Sequence, residues 1–454
     1  MSSESRKYRV EELICEGVLE IGDGYRAKNS ELTDAGIPFA RAGNINDGFK
    51  FDDADFFPES ELSRVGSKVS RPGDVVFTSK GTVGRFAFVE KHSQRFVYSP
   101  QLCFWRSLNP DRILPEYLYY WMNSQEFLLQ IGYLKGQTDM ADYVSLRDQR
   151  QMAVTIPSIQ QQRYVVDCLK PIDQRITLLR ETNISLEAIA QAIYKSWFVD
   201  FDPVCTKEAR PDLGGIDASI AAFFPDGLEQ SDFGLIPRGW NFRPIGELVE
   251  GIYDGPHATP AKSKSGPVFL GIKNLTGTRL ELINTRYISE EDWSKWTRRV
   301  EPTHGDIVFS YEATLGFFAL IPPNIRCCLG RRLALIRPHT VKGAGLFWFH
   351  QFISLPFQQM LDKHTIHGAT VNRIALKAFP RYLVLNPPEA LKMAFHDLVE
   401  PLWGTIHNNQ AQLNTLIQLR DTLLPPLVSG QMRLQETSAA PRKGELSRQK
   451  VGSW

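Results

Sequence analysis

The sequence predicts an α+β fold made of two tandem, pseudo-symmetric halves, each closing on a long helix. Three observations carry this. Motifs recur at a constant offset of 230–232 residues in a chain of 454. Two stretches place apolar residues at gaps alternating between four and three, the period of a coiled-coil seam. Ahead of each stretch lie short runs of β-branched and aromatic residues bounded by glycine and proline, which read as strands.

The repeat is dense. Asp23-Gly24 recurs as Asp254-Gly255, and Ile37-Pro38-Phe39 through Asn44-Ile45 as Pro267-Val268-Phe269 through Asn274-Leu275. Gly73-Asp74-Val75-Val76-Phe77 recurs as Gly305-Asp306-Ile307-Val308-Phe309. Thr82 and Gly84 match Thr314 and Gly316, and Gly136-Gln137-Thr138 matches Gly368-Ala369-Thr370. A period of half the chain means two whole domains rather than a solenoid. The frame repeats while the loops diverge: Ser79-Lys80-Gly81-Thr82 stands opposite Tyr311-Glu312-Ala313-Thr314. Such loops suit two sites of one kind with different ligands.

The first seam is Ile172, Ile176, Leu179, Asn183, Leu186, Ala190, Ile193 and Trp197; the second is Leu402, Ile406, Asn409, Leu413, Leu416, Arg420 and Leu423. Pro171 and Pro401 precede them and read as first-turn prolines. Seam asparagines such as Asn183 and Asn409 commonly fix register.

In chain order, Val75-Val76-Phe77 and Phe86-Ala87-Phe88-Val89 are strands around a glycine-rich turn, and a helix is expected over Glu116 to Ile131. Val199 to Pro237 is a turn-dense connector made ordered by Phe198, Phe201, Phe223, Phe224 and Phe233. The resulting boundaries are a first domain 1–157, a helix 158–198, a connector 199–237, a second domain 238–388, a helix 389–434 and a disordered tail 435–454.

A net charge of +1 announces no nucleic-acid partner, although residues 232–380 hold 18 Lys/Arg against 12 Asp/Glu and residues 1–150 hold 19 against 22. DNA contact in the first half therefore requires a local patch. The six cysteines show no zinc spacing and read as small buried hydrophobes of a reducing compartment. The polar start and the absence of a long apolar run predict a cytoplasmic chain with no membrane contact.

Ala192-Ile193-Tyr194-Lys195-Ser196-Trp197-Phe198-Val199-Asp200-Phe201-Asp202-Pro203, Ile236-Pro237-Arg238-Gly239-Trp240, the twin Gly-Asp-Val/Ile-Val-Phe strands and Leu423 to Gln431 resemble one family over residues 1 to about 434. It is that of the specificity subunits of type I restriction–modification systems. The resemblance implies two target recognition domains joined by two long helices in an antiparallel coiled coil. It implies double-stranded DNA with a bipartite target as ligand, and two modification (methyltransferase) subunits and restriction (motor-nuclease) subunits as partners. It implies no catalysis and no bound cofactor here, with S-adenosylmethionine, ATP and Mg used by the partner subunits. A seam of about 27 residues spans ~40 Å, close to one turn of DNA at ~34–36 Å.

Within that reading, Lys80, Thr82, Arg85, Gln137 and Thr138 are DNA-contact candidates of the first half. Tyr311, Glu312, Thr314, Arg331, Arg332, Thr370, Asn372 and Arg373 are those of the second. His257, Lys262 and Lys264 suit phosphates, which position without specifying. Trp197 and Phe198, at the end of the seam, are candidate anchors for modification subunits. Asn386-Pro387-Pro388-Glu389 resembles an adenine-methyltransferase signature, but Glu389 replaces the aromatic that would stack on a flipped base. The rivals are a specificity subunit of a methylation-only complex or of one that cuts on both sides of its site, a self-sufficient methyltransferase, and a bivalent protein scaffold.

Overall fold

The computed structural model describes residues 5–45, 48–135, 143–209, 218–283, 285–339, 344–368 and 371–432. The chain divides into two compact units, Met1–Arg175 with Leu416–Trp454, and Ile176–Thr415.

Unit 1 is built on an antiparallel four-stranded sheet in the order Leu19–Asp23, Leu102–Ser107, Val75–Thr78, Phe86–Phe88. Val75–Thr78 is buried along its whole length, as expected of a central strand covered on both faces. Ile37–Ala40 pairs antiparallel with Phe56–Phe57 and parallel with Val97–Tyr98. Arg6–Arg9 pairs with Ala153–Ile156 and so ties the start of the chain to the strand leading into the long helix. Helices Pro115–Met122 and Gln125–Lys135 cover the sheet and place Trp121 and Phe127 against Trp105.

Unit 2 repeats this topology. Its four-stranded sheet runs Val249–Asp254, Leu333–Pro338, Ile307–Ser310, Phe318–Leu320. Ser263–Leu270 pairs antiparallel with Arg286–Tyr287 and parallel with Cys327–Leu329. Asn241–Pro244 pairs with Leu383–Asn386. The repeated Asp-Gly motif has a steric reason. A Cβ on Gly24 would stand 2.0 Å from the Ser99 carbonyl oxygen, and one on Gly255 would stand 2.3 Å from that of Gly330. Both glycines let one strand end pass close to its neighbour's backbone.

The long helices are Ile159–Phe198 and Glu389–Val428, 40 residues each. The first-turn reading of Pro171 and Pro401 is thereby corrected, because each proline is the thirteenth residue of its helix. The preceding residues belong to domain cores. Val165 and Leu169 pack in unit 1, where Leu427 and Val428 of the second helix join them. Leu391, Phe395 and Val399 pack in unit 2. Each helix starts well before its proline, which removes one i→i−4 bond without ending it.

Three other expectations change. The helix over Glu116 to Ile131 is two helices. Asn123 caps the first, and the Ser124 hydroxyl donates to Trp121 O at 2.6 Å, so the break is satisfied locally. Cys103, Cys327 and Cys328 are buried, but Cys15 and Cys205 are exposed. In the connector, Phe224 is buried while Phe223 and Phe233 are exposed; helix Asp202–Ala209 and the hairpin Leu228–Ser231/Gly234–Pro237 give it order. The tail 435–454 lies outside the described residues.

Candidate nucleic-acid interface

Each unit positions its loops on an arginine–aspartate ion pair whose aspartate is buried. In unit 1 the Arg106 guanidinium grips Asp74 through Nε–Oδ1 at 2.6 Å and Nη2–Oδ2 at 2.7 Å. Tyr98 donates to the same carboxylate at 2.6 Å, and so does the Arg71 N–H at 2.8 Å. Burial alone would lower the Arg106 pKa; the hydrogen bond and charge of Asp74 override it and raise the group. In unit 2 Arg337 grips Asp306 in the same way, at 3.0 and 2.6 Å. These aspartates follow the repeated glycine and immediately precede the central strand, so they fix where the loop after that strand emerges.

That loop meets two other segments at one backbone junction. In unit 1 the Ser79 N–H donates to Gln101 O at 2.9 Å and the Val144 N–H to Ser79 O at 2.9 Å. Lys80 and Tyr143 face each other as an antiparallel bridge. In unit 2 the Tyr311 N–H donates to Arg332 O at 3.2 Å and the Ile374 N–H to Tyr311 O at 2.8 Å. Glu312 and Arg373 form the bridge. Every pair of equivalents is separated by 230–232 residues.

Lys80, Thr82 and Arg85 are exposed on the first loop. Thr78 Oγ1, which accepts the Arg85 N–H at 3.0 Å, staples the turn they occupy. In unit 2 Glu312 pairs with Arg332 at 3.3 Å, and the Ala313 N–H donates to Asn372 O at 3.1 Å. Thr314, Arg331, Asn372 and Arg373 are exposed. Thus Glu312, Thr314, Arg332, Asn372 and Arg373 converge on one loop cluster. Tyr311 does not: at 6% exposure it lies in the apolar core, and its hydroxyl has no hydrogen-bond partner among the described residues. His257 sits 3.1 Å from Asp254, a residue also held by Arg299. Lys262 and Lys264 are exposed, and among the described residues no hydrogen bond or ion pair links them to the cluster. Gln137, Thr138 and Thr370 lie outside the described residues.

Gln101 and Tyr143 are the junction residues that sequence reasoning missed. Gln101 is exposed and its Oε1 accepts the Ala42 N–H at 3.1 Å. Tyr143 is 44% exposed. Their counterparts, Arg332 and Arg373, share no chemistry with them, so only the offset itself could have found them.

Along the helices Ile176, Leu179, Asn183, Trp197, Ile406, Asn409 and Leu413 are buried, while Ile172, Leu186, Ile193, Leu402, Leu416 and Leu423 are half-buried. Trp403 and Ile417, outside the seam assigned from sequence, are also buried. Asn409 donates to Asn183 at 2.8 Å. Trp197 and Phe198, 4% and 3% exposed, are interior residues of unit 2 against Phe224, Phe395 and Trp240. That corrects their reading as anchors for another subunit.

The Asn-Pro-Pro-Glu segment is a helix entry. Lys392, nearly fully buried, donates to Asn386 Oδ1 and Glu389 Oε1, both at 2.7 Å, beneath the rings of Trp348 and Phe347. The asparagine oxygen is occupied inside the fold. Unit 2 also holds a cavity of about 470 Å³ lined by His304, His396, His407, Trp403, Glu250 and Glu400. Burial, and then the neighbouring His304, pushes His407 down to about 4. Burial pushes His350, behind Trp403, down to about 3. No helix among the described residues is long and apolar enough to cross a membrane.

The family described as the type I restriction modification DNA specificity domain matches residues 10–188. The type I restriction enzyme MjaIX specificity subunit of Methanocaldococcus jannaschii is 23% identical over 389 residues, covering 83% of this chain and 82% of that protein. The HindI specificity subunit of Haemophilus influenzae is 22% identical over 455 residues, covering 87% and 94%. Among solved structures, a type I restriction–modification S subunit from M. genitalium shares the fold. Its TM-score is 0.53 at 14% identity, covering 94% of this chain and 96% of that one.

Proposed function

We propose that the chain is a specificity subunit of a type I restriction–modification system, reading a bipartite DNA target for such a complex without catalysing a reaction itself. The observation that carries this is the duplication. One sheet topology and one loop junction occur twice, and the exposed side chains differ. Two equal frames with unequal loops are what two different half-sites require. Two modification subunits would methylate adenine within the half-sites, and motor-nuclease subunits would cut. S-adenosylmethionine, ATP and Mg would be theirs, and the assembly would work in the cytoplasm on double-stranded DNA. The engagement of Asn386 by Lys392 weighs against a methyltransferase site in this chain.

The test is single-molecule sequencing of DNA from a methylation-free host expressing the modification subunits with and without this chain. One bipartite adenine-methylated motif should appear only with it. Methyl transfer by the purified chain alone would establish the rival enzyme. Salt-insensitive or absent DNA binding by the assembled complex would favour a protein scaffold.

A further inference from the structure

We propose that three side chains at the repeated junction form the main specificity-determining set of each unit: Lys80, Gln101 and Tyr143 in unit 1, and Glu312, Arg332 and Arg373 in unit 2. This rests on the reading of the chain as a DNA-specificity subunit and deepens it to residues and base chemistry.

The backbone supplies the argument. Both junctions are closed by the same two hydrogen bonds between equivalent residues. Residues opposed in an antiparallel bridge project from the same face, so Lys80 stands beside Tyr143, and Glu312 beside Arg373. The third position, Gln101 or Arg332, is the residue whose carbonyl accepts the junction N–H. All six side chains are exposed or half-buried. The residue between them and the core, Ser79 or Tyr311, is buried. The frame is thus invariant between the units, and what it displays is not.

The displayed chemistry differs as two readers' should. The first set offers donors: an ammonium, a phenol and the Gln101 Nε2, whose Oε1 is engaged with Ala42 N. Such a set suits the acceptor edge of guanine, O6 and N7. The second set offers a carboxylate beside two guanidiniums, with Glu312 held 3.3 Å from Arg332. A carboxylate accepts from the cytosine N4 amino group, and an arginine pairs with guanine, so this set suits a C·G step. Its more exposed guanidinium is that of Arg373.

The test uses the full chain assembled with its modification subunits, read by methylome sequencing. Lys80→Ala with Tyr143→Ala should relax one or two base positions in one half-site by roughly tenfold or more and leave the other half-site intact. Glu312→Gln with Arg373→Ala should do the same in the other half only. The untouched half-site in the same molecule is the internal control. An unchanged motif in both double variants overturns the proposal, as does loss of all methylation with assembly and unfolding unaltered. Tyr143→Phe, which keeps the ring and drops the hydroxyl, carries the test if the alanine variants unfold. If the unmodified chain directs no bipartite motif at all, it is the parent reading that fails.

Discussion

The Asn409 amide donates to Asn183 Oδ1 at 2.8 Å across the helix pair of unit 2, both side chains being buried. Among the described residues the Asn183 Nδ2 has no hydrogen-bond partner. A leucine pair would avoid that desolvation loss, so the asparagines act on register rather than on stability. Asn183→Leu alone should destabilise unit 2 by about 1–3 kcal/mol by stranding the Asn409 amide. The double change to leucine should recover most of that loss. Denaturant unfolding of the three proteins decides it; a double variant weaker than either single one would refute the register role.

The Asp74–Arg106 pair should matter more than its repeat. Asp74 is fully buried and Arg106 has a side chain 6% exposed, whereas Arg337 is 22% exposed. Tyr98 also binds Asp74, and its counterpart is the apolar Leu329. Asp74→Ala leaves a buried guanidinium uncompensated and should cost about 3–5 kcal/mol. Asp306→Ala should cost less, because water can reach Arg337. Equal losses in thermal unfolding would mean that burial does not set the difference.

These pairs show what the sequence could reveal. The repeat exposed the frame, because Gly-Asp and the strand after it must keep their chemistry to hold the arginine and fill the sheet. It could not expose Gln101 or Tyr143, because the junction is made of main-chain bonds that any residue can provide. Tyr311 lies in the loop, yet in extended backbone successive side chains alternate, and it is Glu312 that faces out. The helix starts were missed for a related reason. Upstream of the prolines the apolar residues face their own domain cores, so they do not continue the seam's spacing.

Acid should weaken unit 2 through its buried histidines. His350 and His407 have folded pKa values lowered to about 3 and about 4, both first by burial. Unfolded histidines near 6.5 take up protons that the folded ones refuse. Their contribution is therefore complete above about pH 6.5 and is lost as pH falls toward 4 and then 3. The groups around His407 are His304, His396, Glu250, Glu400 and the Asp306–Arg337 pair. His350→Gln keeps an acceptor for the Trp403 Nε1–H, which His350 Nε2 accepts at 3.0 Å. That variant should lose less stability between pH 6.5 and 4 than the parent. An identical pH profile would place the acid sensitivity elsewhere.

Helix length should set the spacing of the DNA target. Within unit 2 the Asn183–Asn409 pair sets the antiparallel register of the two helices. In that register residues 177–183 face 409–415. Removing both segments takes one heptad from each helix and shortens it by about 10 Å, while returning the flanking apolar residues to matching positions. Ten ångströms correspond to roughly three base pairs at ~3.4 Å each. The shortened chain, assembled with its modification subunits, should methylate the same two half-sites with about three fewer base pairs between them. Altered half-sites at the old spacing would instead place the spacing determinant in the recognition domains.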